Sequence, residues 1–136
     1  MRLLVTGDRT WKDEGLIHAF LTIYADTYPD LVIIHGGANG ADSIAGDIAE
    51  SMEIKTLEFR ADWDRHGRAA GPIRNQQMLD EGKPNAVVAF HKNLQSSRGT
   101  LDMVRRARKA NLPVTWLDSS GKAMANNELD KYLETC

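Results

Sequence analysis

Residues Leu31 to Met52, LVIIHGGANGADSIAGDIAESM, change their apolar period in mid-stretch. Leu31-Val32-Ile33-Ile34 is a short, continuous apolar run rich in β-branched residues, the pattern of a strand buried on both faces of a parallel sheet. Gly36, Gly37 and Gly40 follow, and then Ile44, Ala45, Ile48, Ala49 and Met52 recur at helical spacing, so a helix starts near Gly40 or Ala41. A strand that breaks on glycines into a helix directs unpaired N–H groups, and the positive end of the helix dipole, at whatever lies above the strand's end. Such a turn favours an anion, most often a phosphate. The alternative is a tight βα turn in which glycine only relieves backbone strain.

Neither familiar phosphate fingerprint is present. A P-loop needs Gly-Lys-Ser/Thr after its spacer, whereas Gly40 is followed by Ala41 and Asp42. G-x-G-x-x-G is absent both here and after the first strand.

The rest of the chain extends the alternation. Arg2 to Thr6 reads as a strand that turns at Gly7-Asp8-Arg9, and Trp11 to about Tyr28 as a helix with Leu16, Ile17, Phe20, Leu21 and Tyr24 on one face. Ile54 to Phe59 alternates as a third strand. Arg60 to Pro72 is polar and without a period, and a loop of that length in a compact domain is usually functional or mobile. Pro72 suits the first turn of a short helix, Ile73 to about Glu81, that Gly82 stops. Asn85 to Phe90 is a fourth strand, His91 to Arg98 a polar loop, and Gly99-Thr100 opens a helix to about Ala110. Pro113 to Leu117 is a fifth strand. Residues 118–136 read as a polar linker followed by a short helix or tail, so residues 1–136 form one domain.

This order predicts an α/β fold, a mainly parallel sheet of about five strands with helices on both faces. Ligands of such sheets bind at the carboxyl ends of the strands, where strand order reverses. The glycine-rich and polar loops all leave those ends, so one cleft can collect them.

Composition narrows the function classes. A formal net charge of −2 and a pI near 6.1 argue against a general nucleic-acid binder. No apolar run approaches a membrane span, and MRLLVTGDR has no signal-peptide core. The single cysteine, Cys136, forms no internal disulfide, which fits a reducing, cytoplasmic setting. His18, His35, His66 and His91 lack metal-ligand spacing, so no metal is expected.

Several residues carry candidate chemistry. Gly99-Thr100 at a helix start is a second anion site by the same logic, or an ordinary cap. Asp42 complements its helix dipole or accepts from a ribose hydroxyl. Trp63, between two aspartates, is unusual for core packing and suits stacking on a base or closing the cleft. Arg74 presents a planar fork to phosphate, with Arg9 and Arg68 as weaker versions of the same chemistry. Arg105, Arg106, Arg108 and Lys109 read as a solvated helix face.

Thr6-Gly7-Asp8-Arg9, Gly36-Gly37-Ala38-Asn39-Gly40-Ala41-Asp42, Ala61-Asp62-Trp63, Ala70-Gly71-Pro72-x-Arg74-Asn75-x-x-Met78 and Gly99-Thr100-x-Asp102-Met103 occur in that order. Together they resemble the YspA-related branch of the SLOG superfamily, which includes the Lonely Guy phosphoribohydrolases and the DNA-processing protein DprA. The resemblance spans roughly Arg2 to Leu117. It implies a Rossmann-like three-layer fold, a homo-oligomer, and a pocket for a nucleotide-derived ligand such as a nucleoside monophosphate or an ADP-ribose compound; no cofactor is expected. The implied ligand residues are Thr6, Gly7, Asp8 and Arg9, then Gly36, Gly37, Ala38, Asn39, Gly40 and Asp42, with Trp63, Arg68, Arg74, Asn75, Ser97, Gly99 and Thr100.

Lonely Guy enzymes cleave an N-glycosidic bond with an arginine in R-K-x-x-M and a glutamate in P-G-G-x-G-T-x-x-E. Arg74 and Met78 match the first pattern, with Asn75 in place of lysine. Gly99 and Thr100 match the second, but Met103 stands at the glutamate position and carries no charge to stabilise an oxocarbenium-like state. Asp102 lies about 100° away round the helix. The leading expectation is therefore binding of a nucleotide-derived ligand, to sense or sequester it. The alternative is a nucleotide N-glycosidase using Arg74 with Asp8 or Asp102. A third is single-stranded DNA binding of the DprA kind, which the charge disfavours.

Overall fold

The computed structural model describes residues 1–136. Six strands form one sheet in the order β3-β2-β1-β4-β5-β6. The strands are β1 (Arg2–Gly7), β2 (Val32–His35), β3 (Lys55–Glu58), β4 (Ala86–Phe90), β5 (Val114–Leu117) and β6 (Ala123–Ala125). The first five are parallel, and β6 pairs antiparallel with β5. The helices are α1 (Glu14–Thr27), α2 (Ala41–Ser51), a single turn α3 (Trp63–His66), α4 (Ala70–Asp80), α5 (Gly99–Lys109) and α6 (Asn126–Leu133).

Side chains that alternate along a strand divide into two cores, which makes three layers. Leu3, Val5, Ile33, Val88 and Phe90 pack with Ile17 and Leu21 of α1 and Ala41, Ala45 and Ala49 of α2. Leu4, Ile34, Val87, Ala89 and Val114 pack on the other face with Met78, Met103, Val104, Ala107 and Leu129 of α4, α5 and α6. The chain runs outward from β1 through β2 to β3, then crosses back to place β4 on β1's other side. Strand order reverses beside β1, so the crevice of this Rossmann-like fold opens between the ends of β1 and β4.

Four differences from the sequence reading have physical causes. Helix α1 begins at Glu14, not Trp11, because Asp13 caps it by accepting from the Leu16 N–H at 3.0 Å. Trp11 is instead buried against Phe90, with its indole N–H donating to the Asp13 carbonyl at 2.9 Å. Arg60 to Pro72 is not an open loop: Asp62 caps α3 through the Arg65 N–H, a 3-10 turn spans Gly67–Ala69, and α4 starts at Ala70. The 118–136 segment contains β6, because Asp118 gathers the Ser120 and Lys122 N–H groups into a turn that folds the chain back on β5. The basic face of α5 is only partly solvated, since Arg108 forms a two-pronged pair with Asp130 at 2.7 Å and Arg106 binds Asp102 at 2.8 Å.

Candidate functional site

The carboxyl ends of β1, β2 and β4 and the first turns of α2, α4 and α5 enclose three adjoining hollows. The innermost, about 400 Å³, is lined by Thr6, Gly7, Asp8, Arg9, Ala38, Asp42, Arg74, Asn75, His91, Ser97, Arg98, Gly99 and Thr100. A second, about 260 Å³, lies above β2 and includes Gly36, Gly37, Asn39, Arg60 and Trp63. A third, about 650 Å³, opens outward between Trp63, Arg68, Gly71, Arg98 and Asp102. Arg9 and Arg74 line all three, so they form one cleft with those two arginines at its centre. A larger hollow of about 780 Å³ lies between α4 and α5, away from the strand ends. The fold places ligands at the strand ends, and the converging polar groups are there too.

Nearly every residue singled out in the sequence reaches this cleft. Gly40 does not; it borders a shallow hollow beside Arg9, Thr10 and Trp11. Its role is packing. Its φ is +79°, and a Cβ there would fall on the Asp8 carbonyl oxygen, so only glycine lets the α2 turn approach the β1 loop this closely.

The glycine turn after β2 is bonded internally. The Gly36 N–H donates to Asp42 Oδ2 at 2.9 Å, the Gly37 N–H to His35 Nδ1 at 3.0 Å, and the Ala41 N–H to the Asp8 carbonyl at 3.1 Å. The anion that this turn favours is thus already provided by the chain as the Asp42 carboxylate. Asp42 is buried, and burial pushes its carboxyl up to about 6, against the bonds from Gly36 and Ala38 and the nearby Arg74 and Arg9 that favour the ionised form. What the turn offers a ligand is its outer surface and the guanidinium beside it.

That guanidinium belongs to Arg74, held at one place. Its Nη1 donates to the Gly36 carbonyl at 2.8 Å and its Nε to Asn75 Oδ1 at 3.1 Å. A Cβ on Gly36 would fall on that guanidinium and displace it. Asn75, 3% exposed, passes the constraint on: its Nδ2 donates to Asp102 Oδ2 at 2.9 Å and to the Gly99 carbonyl at 3.3 Å. One polar chain therefore runs from β2 through α4 to the start of α5. Burial lowers the pKa of Arg74, Asp42 raises it and Arg9 lowers it further; an arginine nonetheless stays charged.

The remaining arginines are more open. Arg9 Cζ lies 5.8 Å from the centroid of the Trp63 ring, whose edge rests on Gly71, and Trp63 is 49% exposed. Arg60 pairs with Glu58 at 3.0 Å on the exposed rim. Arg68 and Arg98 face the outer hollow. Two of these, Arg60 and Arg98, escaped the sequence reading because no periodicity marks a loop arginine, although Arg98 directly precedes the helix-opening Gly99-Thr100.

Asp8 and Asp102, the candidate catalytic carboxylates, differ in availability. Asp8 lines the inner hollow; burial raises its pKa, but the Thr10 N–H and hydroxyl, both at 2.8 Å to Oδ1, together with the neighbouring His91 and Lys92, lower it overall. Asp102 Oδ2 is engaged by both Asn75 and Arg106. Met103 is fully buried in the core under α5 and does not face the cleft. At the opening of α5, the Thr100 N–H is capped by Ser97 Oγ at 3.0 Å. No three His, Cys, Asp or Glu side chains come together as a metal site, and no helix is long and apolar enough to cross a membrane.

Comparison with known proteins agrees with this architecture. The profile described as the YspA, cpYpsA-related SLOG family matches residues 1–66. The chain is 40% identical over 119 residues to the Gene 61 protein of Mycobacterium phage D29, covering 83% of this chain and 93% of that protein. Its structure is similar to DNA processing protein A (DprA) from Streptococcus pneumoniae, with a TM-score of 0.68 and 18% identity over 85% of this chain. That likeness is one of fold, and it spans 49% of the DprA chain, about half its length.

Proposed function

The chain belongs to the YspA, cpYpsA-related SLOG family, and from that premise we propose that its cleft binds a nucleotide-derived small molecule without cleaving it. The ligand is of the nucleoside monophosphate or ADP-ribose type, and binding serves to sense or sequester it. The observation that carries this reading is the concentration of arginine. Acidic residues outnumber basic ones in the chain, 19 to 17, yet Arg9, Arg60, Arg68, Arg74 and Arg98 all border one cleft. Guanidinium forks match phosphate oxygens in geometry and charge, and the half-exposed Trp63 offers a face on which a base can stack.

Binding is favoured over turnover by the state of the carboxylates. Glycosidic cleavage develops positive charge on the sugar, and a free carboxylate beside it lowers the barrier. Met103 lies in the core, and within the cleft Asp102 borders only the outer hollow with its Oδ2 taken by Arg106 and Asn75, so its charge is already paired and α5 places no carboxylate in the inner hollow. Asp8 is the one candidate carboxylate in the inner hollow with an oxygen outside the Thr10 contacts, and it carries the alternative reading of an N-glycosidase.

The test is to purify the protein, denature it, and identify released small molecules by mass spectrometry, then incubate it with nucleoside monophosphates and ADP-ribose. Recovery of intact ligand supports binding. Release of free base, abolished in Asp8→Asn, would establish the hydrolase instead. Binding to single-stranded DNA with a steep salt dependence, and to no small nucleotide, would assign a nucleic-acid role.

A further inference from the structure

His91 stands at the carboxyl end of β4, at the point where strand order reverses, and it is 8% exposed. Three bonds fix it. Its N–H donates to the Leu117 carbonyl at 3.1 Å, its carbonyl accepts from Trp116 Nε1 at 2.8 Å, and its ring Nδ1 accepts from the Asn93 N–H at 3.0 Å. An Nδ1 that accepts an amide N–H carries no proton, so the neutral ring bears its proton on Nε2. Nothing in the protein accepts from Nε2, and it is not sealed in the core, since no buried side-chain polar atom lacks a partner. His91 lines the inner hollow beside Thr6, Asp8, Arg98 and Thr100. A nearly buried, rigidly placed imidazole thus presents one unpartnered donor to the cleft.

We propose that His91 is a ligand-contacting residue whose Nε2–H donates to a phosphate oxygen seated between the end of β4 and the first turn of α5. The inference rests on the nucleotide-binding reading and adds to it a polarity for the ligand. The phosphate lies in the inner hollow, against His91 and Arg98, and the base lies outward, towards Trp63. The groups around the ring fit this role. Burial lowers the pKa of His91, Asp8 raises it and Lys92 lowers it, with a net lowering that keeps the ring neutral. A neutral Nε2–H is a fixed donor, and the arginines supply the positive charge. His35, at the end of β2, accepts the Gly37 N–H through Nδ1 in the same way, but its Nε2 faces Gly46 of α2, so that ring is a packing element.

Two substitutions separate contact from structure. In His91→Asn the amide oxygen replaces Nδ1 as acceptor for the Asn93 N–H, while the cleft donor is removed. In His91→Gln the amide nitrogen reaches towards the Nε2 position, while the loop acceptor is lost. Titration calorimetry with AMP, ADP-ribose and phosphate-free adenosine is expected to show His91→Asn weakening AMP and ADP-ribose about tenfold or more, with adenosine affinity and melting temperature close to the parent's. His91→Gln should hold AMP within about threefold of the parent and melt lower. Long-range proton–nitrogen NMR should place the ring proton on Nε2. Equal AMP affinity in His91→Asn and parent, an equal loss for adenosine, or an Nδ1–H ring would each overturn the assignment. A parent protein that binds neither AMP nor ADP-ribose would instead overturn the nucleotide reading on which it rests.

Discussion

Asp42→Asn should remove a pH dependence of stability that the parent carries between about pH 4 and pH 6. The Asp42 carboxyl is raised from 3.8 to about 6, chiefly by burial. A rise of roughly two pH units in the pKa of a buried group corresponds to about 3 kcal/mol. The folded state binds this proton more tightly than the unfolded state, so the contribution is fully present below 3.8 and is lost as the pH rises through about 6. Above that, the parent holds an ionised carboxylate in the turn, offset by the Gly36 N–H and by Arg74. Asparagine keeps an oxygen for the Gly36 N–H and never ionises. Urea denaturation of both proteins from pH 3.5 to 7.5 gives their stability difference at each pH, in which titrations common to both cancel. The difference should move in favour of Asp42→Asn by about 3 kcal/mol on going from pH 3.5 to 7.5. A difference that is flat over this range, or that moves towards the parent as the pH rises, would refute the burial argument.

Arg74→Ala should weaken AMP or ADP-ribose binding by about 1.5–3 kcal/mol, the loss of a charge-assisted hydrogen bond, as read by calorimetry; unchanged affinity would remove Arg74 from the site. Gly40→Ala should lower the melting temperature markedly, because it combines a left-handed φ with a collision against the Asp8 carbonyl; a variant as stable as the parent would contradict the close approach. Amide exchange of Val32 to Ile34 should be near the global limit, since β2 lies between β1 and β3 with Ile33 and Ile34 fully buried; rapid exchange there would contradict the sheet order. Sedimentation at micromolar concentration should give a species heavier than the 15.1 kDa chain, and a monomer alone would dispose of the homo-oligomer.

The sheet is legible because β1, β2, β4 and β5 fall in β-branched or apolar runs closed by polar loops and β3 falls in the alternating stretch Ile54 to Phe59, while α1, α2 and α5 repeat apolar residues at helical spacing. The antiparallel β6 was not, since Ala123-Met124-Ala125 is too short and too weakly apolar to show a period, and only the Asp118–Gly121 turn signals it. Most of the residues lining the cleft are visible in the motifs, because glycines and polar clusters after strand ends mark where a parallel sheet binds. How those groups bond to one another is not written in the motifs. From sequence, Gly36 and Gly37 offer free amides to a phosphate; in the fold Asp42 and His35 take both. Likewise Asp102 is a free carboxylate on paper and a joint between α4 and α5 in three dimensions. In the sequence His91 is only a histidine without metal spacing, because the bond that fixes its tautomer comes from Asn93 in the following loop.

On the proposed reading, the arginine-lined cleft at the ends of β1, β2 and β4 binds a nucleotide-derived anion intact. The most direct measurement is calorimetric titration of AMP and ADP-ribose into the parent and into an Arg9→Ala/Arg98→Ala variant, with chromatography of the ligand recovered afterwards. Both arginines are exposed at the cleft, so the variant should fold as the parent does. Saturable binding by the parent, at least tenfold weaker in the variant, with the ligand recovered unchanged, is the predicted result. No binding at millimolar ligand, equal affinity in parent and variant, or recovery of free base would contradict it.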